Sequence, residues 1–190
     1  MDLAFFDALE RTPFSDELYA IIGRALTVAT HYEANLRVLV TVLDVKPRRH
    51  HLVKAGKLEE EVLKLSKLTL NSNVRRLVSR VKRPSGKREL KPEEAEMRTW
   101  LAGFLSQKLH HAREARNTVA HEAALGIECH AEDEERRRDL IEMIDEQIRY
   151  IAEADFHIAG LIEHLNGTNI ATSLEEYIET IAKWVCDVEY

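Results

Sequence analysis

The sequence predicts an all-α, up-and-down helical bundle. Apolar residues recur at three- and four-residue intervals over long stretches, and residues suited to helix starts and stops flank those stretches. No segment shows the alternation of a half-buried strand. The chain has 190 residues, 45% of them hydrophobic and 32% charged, with only seven glycines and four prolines as breaks. That length fits one domain, residues 1–190, with a sizeable core.

Residues 2–10 form a short amphipathic piece that Thr12-Pro13 interrupts. Ser15 is suited to cap the next helix, and Asp16 and Glu17 suit its positive N-terminal end. Leu18, Ile22, Ala25, Ala29, Tyr32, Leu36, Leu39 and Leu43 then mark one face of a long helix over 16–45. Lys46-Pro47 ends it. A shorter helix over 57–68 points Leu58, Val62 and Leu65 inward. Asn71-Ser72-Asn73 reads as a turn or cap before another short helix, Val74 to Val81. Residues 82–91, with Pro84-Ser85-Gly86, read as a loop.

Pro92, Glu93 and Glu94 suit the start of a helix over 92–121. Its inner face is read as Met97, Trp100, Leu101, Phe104, Leu105, Leu109, Ala112, Ala115 and Val119. Residues 123–130 are a connector. A second long helix, 133–166, carries Ile141, Ile144, Ile148, Ile151, Ile158, Ile162 and Leu165. The two long helices are expected to be antiparallel. Asp155 falls in the second helix's apolar seam, where it either bonds across the bundle or turns out to solvent; we expect the latter. Gly167 stops this helix, and Ser173 with Glu176 forms a capping box for a final helix to about Val188.

Composition excludes several classes. Cys129 and Cys186 give neither a disulfide framework nor a CxxC pair, which fits a cytoplasmic protein. The acidic N-terminus does not read as a signal peptide, and no apolar run reaches membrane-span length. No metal-ligand set or cofactor motif is legible: His50-His51 and the His157/His164 pair lack further ligands at suitable spacing.

The formal charge of −6 hides an asymmetry, because residues 46–91 hold 15 Lys/Arg and four Asp/Glu. A basic segment in an acidic chain points to a polyanion such as RNA, or to a solvated face balanced by its neighbours. The candidate RNA-binding residues there are Arg80, Lys82, Arg83, Lys87 and Arg88.

The candidate catalytic group is Arg116, Asn117 and His121, in Arg116-Asn117-Thr118-Val119-Ala120-His121. A guanidinium grips phosphate by a bidentate fork, an imidazole moves protons near neutral pH, and an amide orients a partner. On a regular helix Asn117 and His121 share a face, whereas Arg116 lies about 140° from His121. The three converge if the arginine folds back, if the helix ends near His121, or if two copies pair. Arg113, one turn before Asn117, could add a phosphate contact or be a plain surface arginine. Glu33, at the edge of its helix's apolar stripe, could hold or polarise a catalytic arginine or histidine from behind, or be a half-exposed glutamate; we expect the latter.

This Arg-Asn-x-x-x-His element at the end of an amphipathic helix resembles the signature of the HEPN superfamily, R-x(4–6)-H with a polar residue after the arginine. Lys67-Leu68-Thr69-Leu70-Asn71-Ser72-Asn73 is similar to a run that some members carry ahead of the motif, with Asn71 where glycine is usual. His31-Tyr32-Glu33-Ala34-Asn35-Leu36 resembles the family's early helix, in which an acidic residue recurs. The resemblance implies a HEPN-like bundle and a metal-independent endoribonuclease of toxin–antitoxin or phage-defence type. It further implies RNA ends with 2′,3′-cyclic phosphate and 5′-hydroxyl, and a homodimer with its active site at the interface. A cognate antitoxin or defence-system subunit would be a partner. The same superfamily includes inactive members, so a non-catalytic RNA- or protein-binding module is the alternative. Glu122 stands where many members have glycine, and Ala123 where members silenced at a tyrosine carry it, so control by modification there is not implied.

Overall fold

A computed structural model describes residues 13–83, 91–123 and 134–187, and these are helical throughout apart from short connections. The expected amphipathic piece over 2–10, most of the 82–91 loop and the 123–130 connector lie largely outside them. The helices are α1 (Pro13–Val45), α2 (Arg49–Lys54), α3 (Leu58–Ser66), α4 (Leu70–Lys82), α5 (Pro92–Thr118), α6 (Glu134–Asn166) and α7 (Leu174–Cys186). A 3₁₀ turn, Lys46–Arg48, follows α1, and a π turn, Val119–Ala123, follows α5. No described helix is long and apolar enough to cross a membrane.

The caps explain several boundaries. α1 starts at Pro13, ahead of Ser15. The Thr69 hydroxyl accepts from the Ser72 amide at 3.3 Å, so Asn71-Ser72-Asn73 is the first turn of α4 rather than a separate turn. Gly167, at φ +79°, ends α6: its amide donates to the His164 carbonyl and that of Thr168 to the Glu163 carbonyl, a left-handed close that suits glycine. Ser173 caps α7 through the Glu176 amide, but the Glu176 carboxylate accepts from Thr172 at 2.7 Å, so the reciprocal half of the capping box is not made.

Cross-helix pairs fix the directions. α5 opposes α6, since the Lys108 ammonium meets Glu153 at 2.7 Å and the Phe104 ring meets His157 at 5.1 Å. α4 opposes α5, through Arg113 to Asn71 and Arg98 to the Val81 carbonyl. α7 opposes α6, through Tyr177 to Asp155 and Arg149 to Glu179. The two long helices, however, are parallel. Glu17 lies by Ile141, Asn35 bonds Asp155 at 3.0 Å, and Leu39 and Leu43 share a cavity with Leu161 and Leu165. The antiparallel expectation is corrected here: α1 and α6 pack directly on each other, and α5 opposes both, so two reversals leave them parallel.

The core lies where α1, α5 and α6 meet, around Leu36, Leu39, Leu109, Ala112, Ile148 and Ile151, with α4 and α7 adding Leu77 and Val185. Three residues read as inner are exposed: Met97, Trp100 and Val62, at 63%, 64% and 39%. Arg98 already faces the last residues of α4 and sits by the end of α6, so Met97 overhangs its neighbours. Trp100 flanks the contact and stacks on Phe104. α3 buries only Leu65.

Candidate functional site

The motif lies where regular helix gives way. Ala112 and Ala115 are buried in the core near the end of α5, and the turn that follows packs on both α1 and α6. Val119, fully buried, anchors the π turn that follows. A π turn closes i→i+5 rather than i→i+4, and such turns recur at functional sites. Here it begins within the five-residue step from Arg116 to His121 and carries His121 at its middle. His121 is exposed on that turn and, among the described residues, no partner holds its ring.

Arg116 is anchored from behind. Its Nε donates to the Glu33 carboxylate at 2.5 Å, and one terminal nitrogen reaches the Asn117 side-chain oxygen at 3.4 Å. The Arg116 and Glu33 side chains keep 34% and 22% of their surface in solvent, and Asn117 is exposed. The fold thus joins Glu33 to Arg116 and sets Asn117 beside them. His121 follows on the next turn without a bond to either.

Arg113 faces another way. It donates to the Asn71 side-chain oxygen at 3.1 Å and pairs with Glu114, whose carboxyl it holds below its usual value. Asn71, the residue that replaces the glycine of the resembling run, is therefore the bond between the start of α4 and the motif helix.

Sequence reasoning missed what lies beneath. Tyr32, next to Glu33, is fully buried and its hydroxyl has no described partner. Burial, with the Asp155 and Glu33 charges behind it, raises its pKa and keeps it a neutral phenol. Asp155 does not turn to solvent: only 2% exposed, it accepts from Asn35 at 3.0 Å and from Tyr177 at 2.7 Å. This corrects the expectation for Asp155. The seam carboxylate was the available signal; its partners lie 120 and 22 residues away and had none.

The basic segment divides. Arg80 is not a free phosphate ligand as expected: its Nε meets Asp44 at 2.5 Å, and Arg76 takes the other oxygen of that carboxylate at 2.7 Å. A buried carboxylate demands such compensation. Lys82 and Arg83 are exposed, and Lys87 and Arg88 lie outside the described residues. Among the described residues no three His, Cys, Asp or Glu side chains converge as a metal-ligand group. Comparisons of the chain with family models, curated proteins and solved structures return no match.

Proposed function

We propose that the chain is a metal-independent endoribonuclease of toxin–antitoxin or phage-defence type. The observation that carries this reading is Arg116, held through Nε by Glu33 and a third exposed beside Asn117, immediately before the turn that presents His121. The likeness of Arg-Asn-x-x-x-His to the HEPN signature supports it. In the proposed reaction the 2′-oxygen attacks the adjacent phosphorus, the bond to the 5′-oxygen breaks, and a 2′,3′-cyclic phosphate and a 5′-hydroxyl result. His121 takes the 2′-hydroxyl proton or returns one to the leaving oxygen. Arg116 stabilises the charge that builds on the phosphoryl oxygens, with Glu33 fixing its orientation. Asn117 orients the arginine or the RNA. A homodimer would supply both proton-transfer roles from two copies of His121 in one cleft, with an antitoxin or defence-system subunit restraining the activity in the cytoplasm.

The second reading, a non-catalytic RNA- or protein-binding module, is favoured by the same ion pair, since an arginine held by a carboxylate can simply tie α1 to α5. Expression in bacteria separates the two. Growth arrest by the native chain, relieved by His121→Ala with the chain still folded, supports the nuclease; equal tolerance of both chains supports the binding module.

A further inference from the structure

We propose that the groove between α4 and α5 is a track for the sugar–phosphate backbone of single-stranded RNA, leading to Arg116, Asn117 and His121. The proposal rests on the nuclease reading and adds how the substrate reaches that site.

Residues 67–83 contain Lys67, Arg75, Arg76, Arg80, Lys82 and Arg83 and no acidic residue. The fold sorts these cations. Arg76 and Arg80 turn towards α1 and Asp44. Arg75, Lys82 and Arg83 are exposed and line a groove of about 320 Å³ on the α5 side, with the Ser79 and Ser106 side chains. Among the described residues these three cations have no ion-pair partner. Ser106 begins a polar stripe on α5 that continues through His110, Arg113 and Asn117, at the four-, three- and four-residue steps of one helix face. The stripe runs about 16 Å along the helix axis. Because α4 and α5 are antiparallel, Asn71 meets it at Arg113, one turn before Asn117.

Cations at one end, the Ser106 hydroxyl along the way and the motif at the other end match a strand of regularly spaced phosphates, while Arg113, bonded to Asn71 and Glu114, shapes the wall. Among the described residues no Phe, Tyr or Trp side chain lines the groove, so the contacts fall mainly on the backbone and carry little base preference. A groove of about 320 Å³ between two packed helices is small, which favours a single strand over a duplex.

The test uses the full chain carrying His121→Ala, so that RNA survives, and a labelled poly-uridine strand. Affinity is measured over a range of salt concentrations. Each phosphate contact on a single strand contributes about 0.7 to the slope of log affinity against log salt, so R75Q/K82Q/R83Q should lower that slope by about 2. The set K54Q/K57Q/K64Q, which removes the same charge from exposed positions on and around α2 and α3, should leave the slope unchanged. The duplex with poly-adenine should bind more weakly than the single strand. Single R75E should reproduce the direction of the effect if the triple variant misfolds. Equal losses from both triple sets, or no loss from the groove set, overturn the track, and so does equal affinity for the duplex. If the native chain cuts RNA while the groove variants bind as before, the track alone fails. If the native chain neither cuts nor binds RNA, the nuclease reading fails and takes the track with it.

Discussion

Two carboxylates of α1 hold arginines from neighbouring helices, and they do so differently. Asp44 is shut in: its side chain is 1% exposed and both oxygens are taken, by Arg76 and Arg80. Glu33 is open: it is 22% exposed and holds one Nε of an arginine that still reaches solvent. The first arrangement neutralises buried charge and leaves little to engage a ligand. The second orients a guanidinium without consuming its fork. Chemistry is therefore sought at Glu33 and Arg116, and fold stability at Asp44.

The contrast can be broken by substitution. The largest effect expected is on RNA cleavage by His121→Ala, a fall of about 10²–10⁴-fold measured on a defined oligonucleotide, with the melting temperature unchanged because the ring is exposed. Arg116→Lys keeps the charge but loses both the Nε that Glu33 holds and the fork offered to a phosphate, and should cost about 10²-fold in the same assay. Asp44→Asn should act on stability instead. Removing one partner of a fully buried pair costs about 3–5 kcal/mol, but Arg76 and Arg80 are 42% and 36% exposed and can turn to water. A loss of about 2 kcal/mol, a drop of roughly 4–8 °C in melting temperature for a chain of this size, is expected.

Asp155 sharpens the comparison, because it is as buried as Asp44 yet accepts from the neutral donors Asn35 and Tyr177, with His31 Nδ1 3.6 Å from its carboxylate and, among the described residues, no arginine on it. Asp155→Ala leaves those donors short of an acceptor and should cost about 2 kcal/mol in urea unfolding. Glu33→Gln should be the mildest in stability, below about 1 kcal/mol as for other partly exposed pairs. It should nonetheless slow cleavage by about tenfold, since the arginine loses the charge that orients it. Equal stability losses from Asp44→Asn and Glu33→Gln would erase the distinction between a closed and an open site.

The elements were legible because burial on one helix face leaves a three-four pattern, and α1, α5, α6 and α7 all carry it. Direction was not legible. The pattern in α1 and α6 is the same whether they run parallel or opposed, and only pairs such as Asn35 with Asp155 decide. Nor does periodicity count neighbours. Met97 continues the α5 stripe but sits beyond the helices that would cover it.

At the candidate site, residue types and spacing were visible, and so was the angular conflict between Arg116 and His121. The π turn that begins in that step is a backbone feature with no sequence mark. The sequence favours a plain half-exposed glutamate at position 33, yet Glu33 pairs with Arg116 across 83 residues, a partner that helical spacing does not mark. Arg80 and Lys82 were indistinguishable in sequence, because only the fold reveals which cation Asp44 claims.

The most direct test of the open site maps the ends left on RNA by the purified protein in excess EDTA. The account predicts 2′,3′-cyclic phosphate and 5′-hydroxyl termini from the native chain, and intact RNA from His121→Ala of equal melting temperature. Cleavage that appears only when a divalent metal is added back, or that survives in His121→Ala, would contradict it.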